Sequence, residues 1–140
     1  AGVTNLGKGH GVAFADINED GALDIYLGSG GHYPGDVWAN SLYINQNSSN
    51  SGISVELDGA GNNKFAVGAN VVVHSGKNYR LQRLDAGSGF GSTNSYALHF
   101  GLGTHGKVDS VYISWPTGQS QMHYPKHENR NLTFKHPTHD

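Results

Sequence analysis

Nine residues, Asp16 to Asp24, read DINEDGALD and contain three aspartates and an asparagine. Only 14% of the chain is charged, against about 25% in ordinary globular domains. Carboxylates crowded this closely repel one another unless a cation sits among them. Asp16, Asn18, Asp20 and Asp24 occupy positions 1, 3, 5 and 9 of D-x-N-x-D-G-x-x-D, with Gly21 at position 6 for a sharp turn. The backbone carbonyl of Ala22, at position 7, adds another oxygen. Hard oxygen donors at alternate positions of a tight loop suit Ca²⁺, which takes about six to eight of them, whereas Mg²⁺ demands a stricter octahedron and retains more water. The expected cofactor is Ca²⁺, held by Asp16, Asn18, Asp20, Ala22 and Asp24.

An EF-hand begins in the same way but needs a bidentate Glu at position 12 and helices on both sides. Position 12 here is Leu27, and the flanks Val12-Ala-Phe-Ala15 and Leu23-Asp-Ile-Tyr-Leu27 read as strands. The EF-hand is excluded. The plainer alternative is an Asx-rich turn that caps a hairpin without metal. Four oxygen-bearing side chains spaced around a glycine weigh against it.

The elements that position this loop show period-two alternation. Ile53-Ser-Val-Glu-Leu57 alternates apolar and polar, as do the runs carrying Val71 and Val73, Tyr96 to Phe100, Val111 to Trp115, and Leu132-Thr-Phe134. Turn clusters at Asn45 to Gly52, Asp58 to Asn63, Gly87 to Asn94 and Thr117-Gly118 separate them. No segment carries helical spacing. Strands this regular predict an all-β fold, an antiparallel β-sandwich or barrel with an N-terminal Ca-loop β-hairpin. Gly68, Gly101 and Gly103 are read as permitting bends or positive φ within it.

Other chemistry is thin. A second cation near Asp58, Asn62 and Asn63 is a minority reading. The nine histidines stand at 10, 32, 74, 99, 105, 123, 127, 136 and 139. The one pair four apart, His123 and His127, has Pro125 between them, which breaks the helix that would align the rings. Surface or turn histidines are the preferred reading over a zinc site. No Ser sits in a recognisable nucleophile turn, and Asp85 and Asp109 read as lone solvated acids. The chain is expected to be no enzyme. Tyr33, Trp38, Tyr43, Tyr79 and Tyr124 either stack on sugars or pack in a small core.

With 140 residues, a formal charge of −2 and no basic block, the chain has no electrostatic footprint for nucleic acid. Cysteine is absent, which excludes disulfides and thiolate sites and leaves the compartment open. No apolar run has the length of a membrane helix, and no signal segment opens the chain; secretion implies one already removed. The sequons Asn47-Ser-Ser49 and Asn131-Leu-Thr133 are possible glycosylation sites. With 13 Asn and 19 Ser or Thr in 140 residues, chance alone gives about two, so only the Ser/Asn-rich surroundings of Asn47 are suggestive.

GVAFADINEDGALDIYLGSGG, followed by Asn40-Ser-Leu-Tyr-Ile-Asn45, resembles an FG-GAP/VCBS calcium-binding repeat, here in single copy. Val55-Glu-Leu-Asp-Gly59, Asn63-Lys-Phe-Ala-Val-Gly-Ala-Asn-Val71, Phe100-Gly-Leu-Gly103 and Val111-Tyr-Ile-Ser-Trp-Pro-Thr-Gly118 resemble the ASPIC/UnbV domain. That domain follows such repeats in extracellular proteins related to cartilage acidic protein. Asn70 stands where that family usually has Arg. The resemblance implies a calcium-loop hairpin over 1–50 and an ASPIC/UnbV-like β domain with a C-terminal strand over 51–140, joined as one compact unit. It also implies an extracellular or cell-surface protein without established catalysis.

A single repeat lacks neighbours to cover its edges, and open strand edges recruit other chains. The functional expectation is therefore an extracellular calcium-binding structural protein that forms homo-oligomers or polymers (a fibre, tube or surface layer) through edge strands and the C-terminal segment. The tail Arg130-Asn-Leu-Thr-Phe-Lys135 pairs at home or adds to a neighbour; on the second option, deleting 130 to 140 leaves a folded domain. The alternative is a monomeric calcium-dependent adhesion or carbohydrate-binding module.

Overall fold

Where the sequence alternates, the backbone is extended and one face is dry. In the computed structural model, which describes residues 2–5, 7–31, 33–46, 51–126 and 130–137, ten strands and no helix occur among the described residues. They are β1 (Gly9–Ala15), β2 (Asp24–Ser29), β3 (Ser41–Tyr43), β4 (Ser51–Asp58), β5 (Asn70–Ser75), β6 (Asn78–Arg83), β7 (Leu98–Gly103), β8 (Ser110–Ser114), β9 (Ser120–His123) and β10 (Asn131–Lys135). They belong to two units, one of residues 1–48 with 87–95, the other of 49–86 with 96–140. Residues 87–95 group with the first unit although they lie between strands of the second in the sequence.

The second unit is the sandwich. One sheet has the order β10-β4-β7 and the other β6-β5-β8-β9. Ile53, Val55 and Leu57 of β4, Leu98, Phe100 and Leu102 of β7 and Leu132 of β10 share one buried cluster with Val71 and Val73 of β5 and Val111 and Ile113 of β8. Val55, Val71, Val73, Phe100, Val111 and Ile113 are fully buried. Each such side chain is worth about 1.5–3 kcal/mol relative to exposure.

The expected antiparallel pairing holds with one exception. β10 runs parallel to β4, Leu132 opposite Val55 and Phe134 opposite Leu57, so this sheet is mixed. The tail therefore pairs at home, with Leu132 buried and Phe134 packed against the core. A cut at residue 130 would therefore remove a core residue along with the edge strand. Gly68 and Gly103 have the positive φ expected of them, +93° and +62°, and Gly101 does not.

β6 was not read from the sequence. It is an edge strand whose apolar residues face the wrong way for a core: Tyr79 and Leu81 are 72% and 65% exposed. Arg80 and Gln82 stand opposite Val73 and Val71 on the inward side. Gln82 Nε2 donates to the His99 carbonyl at 2.6 Å, which satisfies its amide there.

The first unit is the antiparallel sheet β1-β2-β3. Among its described residues only Asp24 and Ser29 are buried, and both are polar. Val12, Phe14, Tyr26 and Leu42 remain 39–49% exposed. The outer edge of β1 is met by the 87–95 segment, where Asn94 Oδ1 accepts the Phe14 N–H at 3.0 Å.

Candidate metal centre

The aspartate loop closes the β1–β2 hairpin, with Ala15 and Asp24 as the last paired residues. Asp16 follows β1 directly and Asp24 opens β2. Between them the chain turns with Glu19 at φ 58° and Gly21 at φ 89°, backbone states that ask for glycine or a strongly constrained loop. Side-chain oxygens impose that constraint. Asp16 Oδ1 accepts the Asp20 N–H at 3.0 Å and its Oδ2 the Gly21 N–H at 2.8 Å. Asp20 Oδ1 accepts the Ala22 N–H at 2.9 Å, and its Oδ2 receives Asn18 Nδ2 at 2.9 Å.

Asp24 is fully buried. Its Oδ2 accepts the Ile17 N–H at 2.9 Å and its Oδ1 the Asn45 N–H at 2.8 Å. The carboxylate thereby ties the start of the loop to the segment after β3 (Asn45 was assigned no role from its sequence motif). Asn45 Nδ2 also donates to the Leu23 carbonyl at 3.3 Å. The signal was present in Asn40-Ser-Leu-Tyr-Ile-Asn45, but only the register of β3 on β2 brings it to Asp24.

The loop collects all four side chains of the motif within one turn, yet their oxygens point at backbone and amide N–H groups. Among the described residues no three His, Cys, Asp or Glu side chains, the loop aspartates included, converge in a metal-holding group. The donor set is still of one kind, oxygen only. A carboxylate oxygen that accepts one hydrogen bond keeps a second lone pair, so Asp16, Asp20 and Asp24 retain capacity for a hard cation.

Elsewhere the turn after β4 is held locally: Asn63 Oδ1 accepts the Val67 N–H and its Nδ2 donates to the Val67 carbonyl, both at 3.0 Å. That commits the amide suggested for a second cation near Asp58 and Asn62. Asp85 pairs with Arg83 at 3.3 Å. Asp109 is not the lone acid it resembled in the sequence: its Oδ2 accepts the Gly76 N–H at 2.6 Å and lies 4.0 Å from His74 Nδ1 and 3.9 Å from His105 Nε2. His123 packs on Phe134 at 4.3 Å between ring centres, and burial lowers its pKa below the ordinary value. His136 stands edge-on to Trp115. His32, His127 and His139 lie outside the described residues.

Of the aromatics weighed for sugar stacking, Tyr33, Trp38, Tyr79 and Tyr124 are all more than half exposed. Tyr79 stacks on His74 at 4.3 Å, and Lys8 Nζ lies over the Tyr33 ring. Tyr43 is half-buried in β3. Asn131 and Thr133 of the second sequon are exposed on the edge strand β10, while Asn47 lies outside the described residues. No described helix is long and apolar enough to cross a membrane.

Comparison with known proteins finds a relative and a family. Cartilage acidic protein 1 of Xenopus tropicalis is 32% identical over 117 residues, which cover 81% of this chain and 17% of that protein. The chain thus spans a small part of the length of its relative. The sequence pattern of the family described as ASPIC and UnbV matches residues 59–140, from the turn after β4 through every later strand of the sandwich. That match takes in more than half of the sequence and most of the buried core, and on this ground the chain belongs to the ASPIC and UnbV family.

Proposed function

We propose that the chain is an extracellular, non-enzymatic calcium-binding structural module whose first unit is a single FG-GAP/VCBS-type repeat. The observation that carries this reading is the contrast inside that unit: its only buried described side chains are polar, and one is Asp24 of the loop. Units this small, lacking an apolar core, commonly depend on a metal, a disulfide or a partner, and the chain has no cysteine. Asp16, Asn18, Asp20, the Ala22 carbonyl and Asp24 would hold the ion. Bound Ca²⁺ would supply charge neutralisation and a staple between the two ends of the loop. Loops of extracellular modules bind calcium at about 10⁻⁴ to 10⁻³ M, which suits a calcium-rich exterior, and a relative named for cartilage supports the same location.

Thermal unfolding in millimolar calcium and in chelator tests the reading. A ligand at a hundredfold excess over Kd stabilises by about 2.7 kcal/mol, and Asp20→Ala should abolish that difference while changing little in chelator. Equal stability of the unaltered chain in both conditions would overturn it.

Self-association through edge strands is a second reading, favoured by one observation. Leu81, Val72, Tyr112 and Met122 stand opposite one another across the four-stranded sheet, and Leu81 and Met122 are 65% and 51% exposed. The C-terminal segment, paired within its own chain, supports this reading less than the open edges do. Light scattering with calcium and with chelator distinguishes a polymer from a monomer.

A further inference from the structure

A shallow groove of about 460 Å³ lies within the first unit, away from the loop residues discussed above. Its floor is made by a local irregularity of β1. Between Gly9, paired with Ser29, and Val12, paired with Leu27, the register slips, so that His10 and Gly11 together face Gly28. Bulges of this kind bend a strand and re-aim its side chains. The 87–95 segment forms one wall. A side chain at Gly11 would come within 3.0 Å of the Phe90 carbonyl and 3.1 Å of Ser92 Cβ, so glycine there is what lets the segment approach.

The lining is small, uncharged and hydroxyl-rich between aromatic faces. No Asp, Glu, Lys or Arg takes part. Phe90 is 81% exposed and Tyr26 43%, and the Phe90 ring is 6.4 Å from that of His10. Asn40 is held rigidly: its Oδ1 accepts the Ser29 N–H at 2.9 Å and its Nδ2 donates to the Tyr26 hydroxyl at 2.7 Å. This leaves one Asn40 N–H and the Tyr26 O–H as fixed donors. Ser29, nine-tenths buried, and Ser92 both line the groove, and their hydroxyls have no protein partner. Buried hydroxyls without partners are uncommon and call for a reason.

We propose that this groove binds a neutral saccharide unit, its apolar C–H face on Phe90 or Tyr26 and its hydroxyls on Asn40 and Tyr26, with the buried Ser29 and Ser92 hydroxyls reached by rotation of their side chains. The absence of charge disfavours phosphates, acidic sugars and charged side chains. A purely apolar ligand would leave the serine and asparagine groups unpaired, at a cost. An extended peptide would seek a strand edge, and the β1 edge is met by Asn94. The volume falls within the range of small-molecule sites, about 300–1,000 Å³. This inference goes beyond the calcium reading and does not rest on it.

Calorimetry and ligand-observed NMR on the full chain, with methyl glycosides of the common neutral hexoses and N-acetylhexosamines as probes, provide the test. At least one should bind saturably. Phe90→Ala, at an exposed position that leaves the fold intact, should weaken it at least about tenfold, and Tyr26→Phe about fivefold through loss of one hydrogen bond. Tyr79→Ala, in the other unit, should leave it unchanged. No binding by any probe to folded protein overturns the proposal, as does binding that Phe90→Ala and Tyr26→Phe leave intact. Calcium titration without sugar is read separately, so a chain that binds sugar but not calcium refutes only the metal reading, and the converse refutes only this one.

Discussion

The two units of this chain are both built of strands, but they are stabilised by opposite means. Among its described residues the sandwich buries sixteen apolar side chains in one cluster. The three-stranded unit buries none among its described residues, and its two dry side chains are Asp24 and Ser29. Burial of apolar surface is non-directional and tolerates many sequences. A buried carboxylate is directional, stable only while its oxygens are paired. The first unit therefore depends on a few residues at fixed spacing, and the second on a pattern.

The comparison predicts where single changes hurt. Phe100→Ala, in the fully buried centre of the sandwich, should cost about 3–5 kcal/mol in chemical denaturation, with or without calcium. Asp24→Ala should cost about 2–3 kcal/mol by removing the buried acceptor of the Ile17 and Asn45 N–H groups, and hydrogen exchange should show the opening confined to residues 1–48 and 87–95. An opening that spreads equally through the sandwich would remove the distinction between the units. Gly21→Ala, at φ 89°, should cost about 1 kcal/mol, again within the first unit alone.

The smallest expected effect is on pH dependence. Because burial lowers the His123 pKa, the folded state binds its proton less readily than the unfolded chain. The contribution is fully present above the ordinary histidine value, about 6.5, and is lost as pH falls through the lower folded value. His123→Phe should flatten this slope between about pH 7 and 5 and leave the calcium response untouched. An unchanged slope would show that other groups carry it.

Alternation in β4, β5, β7, β8 and β10 was legible because each of these strands has one face in the core, and period two then appears directly in residue type. β6 was hidden because an edge strand with one face to solvent is free to reverse the pattern, as Tyr79 and Leu81 do. The pairing of β10 was equally illegible: a strand's own residues are the same whether it runs parallel or antiparallel to its neighbour.

The aspartate spacing, the turn glycine and the membership of residues 59–140 in a family were fixed by the chain itself, since all are local or linear properties. Three things required the folded chain. The register of β3 on β2 brings Asn45 to Asp24, and the slip in β1 opens the floor of a groove. Residues 87–95 reach across the sequence to wall that groove. Each joins residues far apart along the chain, and such contacts are decided by which surfaces can be buried together and which backbone groups can be paired, a condition that no short stretch of sequence contains.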